Sequence, residues 1–173
     1  MHNTKKIVFF SLLIALEIVL TRFIQIPVTL LAGFEDKVSL GFIPVFLSGS
    51  IFGIGGGAAV AAIGDILRAL VFPQGGSINL LYTANATLRG ITYGLILRNK
   101  TTIPRILAAN VIILILNIFL LGFFISFSMG TNYTAVLLTR IPTSITNFVV
   151  QSIVLCIIGK PLERRLKINV REQ

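Results

Sequence analysis

A polar stripe runs along one predicted helix of this chain, inside an apolar stretch at residues 80–100. Tyr82, Asn85, Arg89 and Tyr93 are spaced i, i+3, i+7 and i+11, which places them on one face of a helix. Arg89 lies near the middle of the stretch. A charged side chain inside a membrane costs at least about 2.5–3.5 kcal/mol and usually faces a partner or a cavity. The stripe therefore predicts one wall of a polar cavity.

Three other apolar stretches carry a polar face of their own. An arrangement that turns all four faces toward one shared pocket satisfies every intramembrane charge at once. The three faces are Glu17, Thr21 and Arg22; Asp65 and Arg68; and Arg140, Thr143, Ser144, Asn147 and Gln151.

The side chains of this predicted pocket favour one kind of ligand. Guanidinium groups bind carboxylates bidentately, Tyr82 and Phe34 can stack on a planar ring, and acceptors such as Asp65 can bind ring amines. The combination predicts a flat heteroaromatic ligand with an anionic tail. The candidate binding residues are Arg22, Asp65, Arg68, Asn79, Tyr82, Asn85, Arg89, Arg140 and Asn147.

Some of these residues also have a purely structural interpretation, which the sequence leaves open. Arg22 and Arg68 could extend from helix ends toward the membrane surface. Asp65 and Arg68 could form an i, i+3 ion pair. Asn110 and Asn117 could hydrogen-bond between helices.

The composition is that of an integral membrane protein. The 173 residues are 55% hydrophobic and 12% charged, whereas about a quarter of a soluble domain is charged. We expect an all-α fold, a bundle of six transmembrane helices in one domain over residues 1–173, with loops at 27–39 and 73–79 and a turn at "GIGGG" (53–57). The predicted spans are about 7–26, 40–52, 58–72, 80–97, 106–127 and 134–158.

Basic residues predict the orientation of this bundle. Ten of the 15 lie at the N-terminus, between the fourth and fifth spans, or at the C-terminus. Cytoplasmic loops collect Lys and Arg, so both termini should be cytoplasmic, in a multi-pass protein of the bacterial plasma membrane. The lipid bilayer explains the net charge of +9 without nucleic acid as a partner.

The sequence offers little for catalysis. It has no P-loop for ATP, no Cys/His cluster for a metal, and no nucleophile–base pair, so a membrane enzyme is a minor alternative. A channel subunit is another, although the cytoplasmic halves of the spans look apolar. We expect no cofactor bound to this chain.

Small residues recur at a spacing of four, which allows close helix packing. We expect Gly49, Gly53 and Gly57 to pack within the chain. Ser11 and Ala15 have the same spacing on the first span, where a partner subunit could pack instead.

Several segments resemble the substrate-binding S components of energy-coupling factor (ECF) vitamin transporters, most closely the folate group. The similarity covers most of the chain. The similar segments are "TRF" (21–23), "LGFIPVFLSGSIFG" (40–53), "GDILRALVFPQGG" (64–76), "LRGITYGLIL" (88–97) and "TRIPTSITNFVVQSIVLCIIGKPLERRLK" (139–167).

The resemblance implies a function that the residues alone do not give. A vitamin, folate above all, would be captured from outside and delivered through a transmembrane coupling protein driven by two cytoplasmic ATPases, which use the ATP. Ser11 and Ala15 match the family's docking motif, and Arg22 matches the arginine that ends its first helix. The run "SINLLYT" (77–83) differs from the family's folate-binding pattern. A pyridoxine form, pantothenate or cobalamin is therefore the alternative ligand.

Overall fold

The structure, a computed structural model, describes residues 3–29, 35–72, 80–98, 100–130, 132–159, 161–163 and 165. Within these ranges the chain forms six helices. They are α1 (Asn3–Phe23), α2 (Phe42–Phe52), α3 (Ile54–Val71), α4 (Leu80–Leu97), α5 (Ile103–Ile115, continued by a π-helical turn at Leu116–Leu121 and by Gly122–Met129) and α6 (Tyr133–Val154, continued by a π-helical turn at Leu155–Gly159).

Three of the described helices are long and apolar enough to cross a membrane by composition alone: Ile54–Val71, Ile103–Phe127 and Tyr133–Glu163. The helix Phe42–Phe52 is apolar but short. At about 1.5 Å per residue, its 11 residues cover roughly half of a hydrocarbon core of about 30 Å.

The predicted loop between the first two spans contains a β-hairpin. Strands β1 (Gln25–Thr29) and β2 (Glu35–Ser39) pair antiparallel, with Gln25 opposite Ser39. The expectation of an irregular loop, and of a first span reaching residue 26, was therefore wrong. β-Branched residues alternate in "QIPVT" and favour an extended chain. We call the end of the bundle beside these strands the hairpin end.

The turn between α2 and α3 is shorter than "GIGGG" suggested. Only Gly53 leaves the helical conformation, with φ of +78°, a value that favours glycine. The rest of the motif, from Ile54 onward, forms the first turn of α3. The expected turn over residues 53–57 was wrong because Gly56 and Gly57 lie inside the helix, where close neighbours leave no room for a side chain.

Glycines bring α2, α3 and α4 into backbone contact, as expected for packing within the chain. A Cβ atom placed on Gly57 would overlap the carbonyl oxygen of Gly90, and one on Gly90 would overlap that of Gly57. A Cβ on Gly49 would lie 2.9 Å from the backbone nitrogen of Gly94. The close approach of these three helices fixes the position of the polar stripe on α4.

The effect of this packing on stability is testable at Gly57. We expect Gly57→Ala to lower the free energy of unfolding by about 1–3 kcal/mol, because the added methyl group forces α3 and α4 apart. Gly55→Ala is a matched control on the same helix, since its Cβ would meet no atom within 4 Å. Thermal unfolding in detergent, without ligand, should show a lower midpoint for Gly57→Ala only. Equal midpoints would contradict the close contact.

A buried polar network attaches α5 and α6 to α4. The Tyr93 hydroxyl donates to Oδ1 of Asn110 at 3.0 Å, and Nδ2 of Asn110 donates to Oγ of Ser152 at 3.0 Å. Tyr93 is fully buried and packs edge-on against Phe46. Each buried polar group has a partner, so the network specifies how the three helices pack.

Candidate ligand-binding site

Two adjoining cavities lie at the hairpin end of the bundle. The larger has a volume of about 210 Å³ and the smaller about 60 Å³. Ser39, Asp65, Arg68 and Arg89 line both, so the cavities meet at these residues. The hairpin contributes Ser39, and α3 and α4 contribute the charged groups.

Most of the predicted binding residues lie on the larger cavity. Four helices contribute to its wall: α3, α4, α5 and α6. The predicted residues that line it are Asp65, Arg68, Tyr82, Asn85, Arg89, Arg140 and Asn147. The polar faces predicted for three of the spans thus meet at one place.

Asp65 is neutralised within the protein. Its Oδ1 forms an ion pair with Nη2 of Arg68, and its Oδ2 accepts from the Thr83 hydroxyl at 2.8 Å. The i, i+3 ion pair considered from the sequence therefore exists. Both of its members, Asp65 and Arg68, also line the cavity. Nε of Arg68 is buried and makes no hydrogen bond in the described part of the chain.

Arg89 and Arg140 carry the unneutralised positive charge of the larger cavity. Both are half-buried, and neither has a carboxylate oxygen within 4.0 Å among the described residues. A guanidinium group in a partly desolvated wall attracts an anion more strongly than one in water. The two groups can therefore bind a carboxylate that enters the cavity.

The α4 stripe divides between the cavity and the core. Tyr82, Asn85 and Arg89 line the larger cavity, whereas Tyr93 lies in the polar network described above. Nδ2 of Asn85 donates to Oδ1 of Asn117 at 3.0 Å, while Oδ1 of Asn85 is buried without a hydrogen-bond partner among the described residues. Asn85 therefore retains one acceptor for a ligand.

Sequence reasoning missed three residues that line the larger cavity, which are Ser39, Asn117 and Leu121. Asn117 and Leu121 lie in the π-helical turn of α5, and a π-helical turn inside an α-helix often marks a functional site. Such a turn rotates the following residues relative to a regular helix, so the α-helical spacing did not reveal them. Ser39 comes from a strand that was expected to be loop.

Arg22 lies apart from both cavities. Its guanidinium is 5.6 Å from the centroid of the Phe72 ring, and its side chain is exposed. This is a cation–π contact between the ends of α1 and α3. Asn79 and Phe34, also proposed from the sequence, lie outside the described residues.

The two faces of α1 differ in exposure. Leu13 and Glu17 are buried toward the bundle, at 2% and 8% exposure. Ser11 and Ala15 are exposed. The two pairs are offset by two residues, which is about 200° around a helix. Ser11 and Ala15 therefore face away from the cavities.

A metal ion has no evident site in the part of the chain that the structure describes. No group of three or more His, Cys, Asp or Glu side chains is placed to hold one there.

A family model for the substrate-specific component of ECF transporters matches residues 5–159. The chain belongs to this family. The S component is 27% identical over 166 residues to the folate transporter FolT of Clostridium novyi (strain NT), with 95% of this chain and 93% of that relative aligned. The members of this family are transporter components, which agrees with the expectation that the chain is not an enzyme.

Solved structures have the same fold as the S component. A crystal structure of FolT bound with folic acid superposes with a TM-score of 0.79 at 32% identity, over 93% of this chain and 98% of that one. The S component of a bacterial ECF transporter superposes with a TM-score of 0.71 at 24% identity, over 96% and 99%, and shows the fold alone. The predicted all-α, six-helix membrane bundle is confirmed, with the hairpin as an addition.

Proposed function

We propose that this S component captures folate from outside the cell and delivers it to an ATP-driven coupling module. One observation carries the proposal: Arg89 and Arg140 face a polar cavity with no carboxylate partner among the described residues. Folate carries two carboxylates on a flexible tail and a flat ring at its other end. A cavity with uncompensated guanidinium groups and planar-ring contacts matches that ligand.

Similarity to proteins named for folate supports this ligand. The chain resembles the folate transporter FolT of Clostridium novyi and, at 32% identity, the FolT chain bound with folic acid. The atypical segment at residues 77–83 remains the reason to include a pyridoxine form, pantothenate and cobalamin in any binding test.

The ligand contacts follow from the chemistry of the wall. Arg140 lines only the larger cavity, so it is placed to hold the anionic tail through a charge-assisted hydrogen bond. Tyr82 can stack on the ring system. Oδ1 of Asn85 can accept one of its N–H groups, which would satisfy a buried acceptor that has no partner in the described part of the protein.

The distribution of basic residues supports the direction of capture. The cavities lie at the hairpin end, where α1 and α3 finish and α4 and α6 begin. Arg98, Lys100 and Arg105 lie at the opposite end, between α4 and the start of α5. Basic ends of membrane proteins face the cytoplasm. The termini are then cytoplasmic, and the cavities open to the outside of a multi-pass protein of the bacterial plasma membrane.

Transport would depend on partner subunits. The sequence contains no P-loop, so ATP would be used by partner subunits and this chain would act as the binding subunit. A transmembrane coupling protein and two cytoplasmic ATPases would supply the energy, with the Ser11 and Ala15 face of α1 as the docking surface. Small residues at this spacing allow a partner helix to approach closely.

Three measurements on the protein purified in detergent test the ligand. Mass spectrometry of small molecules that co-purify should detect a folate. The ligand-free protein should bind radiolabelled folate, and folate should raise its melting temperature because it binds only the native state. A shift with pyridoxine, pantothenate or cobalamin and none with folate would reject folate and keep the S component.

A further inference from the structure

Glu17 is a buried carboxylate on the wall of the smaller cavity. Its side chain is 8% exposed, and Oε1 accepts the Thr21 hydroxyl at 3.1 Å. Oε2 is buried and makes no hydrogen bond among the described residues. Leaving such a group unsatisfied costs more than a typical hydrogen bond contributes, so an acceptor of this kind calls for a donor.

Two glycines leave the space that the Glu17 and Thr21 side chains occupy. A Cβ atom on Gly64 would overlap Oε2 of Glu17, and a Cβ on Gly41 would overlap Oγ1 of Thr21. Gly64 belongs to α3 and Gly41 precedes α2. The surroundings on two sides are therefore shaped around this carboxylate and hydroxyl.

The cations of the cavity do not neutralise Glu17 directly. Arg68 and Arg89 interact with it electrostatically, but neither has a nitrogen within 4.0 Å of its carboxylate oxygens among the described residues. Arg68 is paired with Asp65. Glu17 thus differs from Asp65, whose two oxygens both have protein partners.

The smaller cavity adjoins the larger one at Ser39, Asp65, Arg68 and Arg89, which line both. With a volume of about 60 Å³, it has room for a few water molecules. That space admits the edge of a planar ring whose body lies in the larger cavity. Arg140, which lines only the larger cavity, would remain near the tail.

We propose that Glu17 is a specificity-determining residue that accepts two adjacent N–H donors from the ring edge of the ligand. A carboxylate accepts a pair of parallel N–H groups in bidentate geometry, as it does from guanidinium. The ligand class is a heterocycle with an amino group next to a ring N–H. This inference rests on the proposed function, because the ring of folate carries a 2-amino group beside such an N–H.

A two-by-two comparison of protein and ligand tests this pairing. The proteins are wild type and Glu17→Gln. The ligands are folate and an analogue whose 2-amino group is replaced by methyl, and affinities are measured by titration calorimetry in detergent. We expect Glu17→Gln to weaken folate binding about 10- to 100-fold, as for loss of a hydrogen bond to a charged group. Its effect on the analogue should be several-fold smaller, because one donor is already missing.

Three outcomes would overturn the inference while leaving folate capture intact. Wild type could bind the two ligands equally, Glu17→Gln could weaken both equally, or Glu17→Gln could bind folate more tightly. Tighter binding by Glu17→Gln would mean that Glu17 only reduces the positive charge of Arg68 and Arg89. The first comparison needs no variant, so it can overturn the inference even if Glu17→Gln does not fold. If wild type binds no folate at all, the proposed function fails first.

Glu163→Gln is the matched control for removing a buried charge. Glu163 is 2% exposed, and it accepts the Thr101 hydroxyl at the end of the bundle opposite the cavities. Its replacement should leave the affinity for both ligands unchanged. Equal losses of folate affinity in Glu163→Gln and Glu17→Gln would show a general effect on folding, and would also overturn the inference.

Discussion

Replacing Arg140 with alanine should weaken folate binding by about 2–5 kcal/mol, because a desolvated ligand carboxylate would lose its partner. Arg89→Ala should cause a loss of similar size, since Arg89 is the other cavity guanidinium without a carboxylate within 4.0 Å among the described residues. Titration of the ligand-free protein with folate measures both losses. Thermal unfolding without ligand shows whether each variant keeps its fold.

The ligand can be varied in the same experiment. Folate with both carboxylates esterified should bind wild type and Arg140→Ala with similar affinity, because the charge that Arg140 recognises has been removed. Arg22→Ala is the control substitution: Arg22 is exposed and stacks on Phe72, away from the lining of both cavities. Its effect should stay within about 0.5 kcal/mol. An equal loss in Arg22→Ala and Arg140→Ala would contradict the placement of the site.

Where helical spacing alone positions the side chains, the structure brings the predicted residues onto one cavity. Asn85 and Arg89 on α4, and Arg140 and Asn147 on α6, each follow α-helical periodicity, and each pair lines the larger cavity. A charged side chain inside a membrane almost always faces the interior of the bundle, a cavity or a partner. The cost of burying a charge in the membrane, together with helical periodicity, was therefore enough to predict that these helix faces meet.

The structure departs from the expected placements where the backbone departs from a regular helix. Spacing placed Arg22 on the polar face of the first span, but α1 ends at Phe23, and beyond it the chain turns into the hairpin. Near that end Arg22 can reach Phe72. Asn117 was expected only to join helices. It does bond Asn85, but the π-helical turn also places it on the cavity wall.

Glycine packing and the buried carboxylate show what a pattern of residue types cannot supply. The spacing of Gly49, Gly53 and Gly57 predicted close contact within the chain. It could not show that Gly90 on α4 is the partner of Gly57, or that Gly53 alone makes the turn. Glu17 was visible as one polar residue of the first span. Only the structure shows that its Oε2 lies against Gly64 with no hydrogen-bond partner among the described residues, whereas both oxygens of Asp65 have partners.

Separating ligand binding from transport is the second large effect that we expect. Ser11→Leu and Ala15→Leu should leave folate affinity within about 0.5 kcal/mol of wild type, since both residues are exposed on the side of α1 away from the cavities. ATP-driven uptake should fall to background, because a leucine at either position keeps a partner helix from close approach. The Ser11 hydroxyl already donates to the Ile7 carbonyl oxygen at 3.0 Å. Serine can therefore present nearly as small and nonpolar a surface as alanine.

Uptake into vesicles that contain the S component and its coupling module measures this loss, and co-purification of the coupling protein reports docking. Ala108→Leu is the matched control, because Ala108 is an exposed alanine on α5. It should leave both binding and uptake unchanged. Normal uptake with Ala15→Leu would remove this face of α1 from the interface. Loss of folate affinity with Ala15→Leu would show instead that the two faces of α1 are not independent, since Glu17 lies on the opposite face of the same helix and lines the smaller cavity.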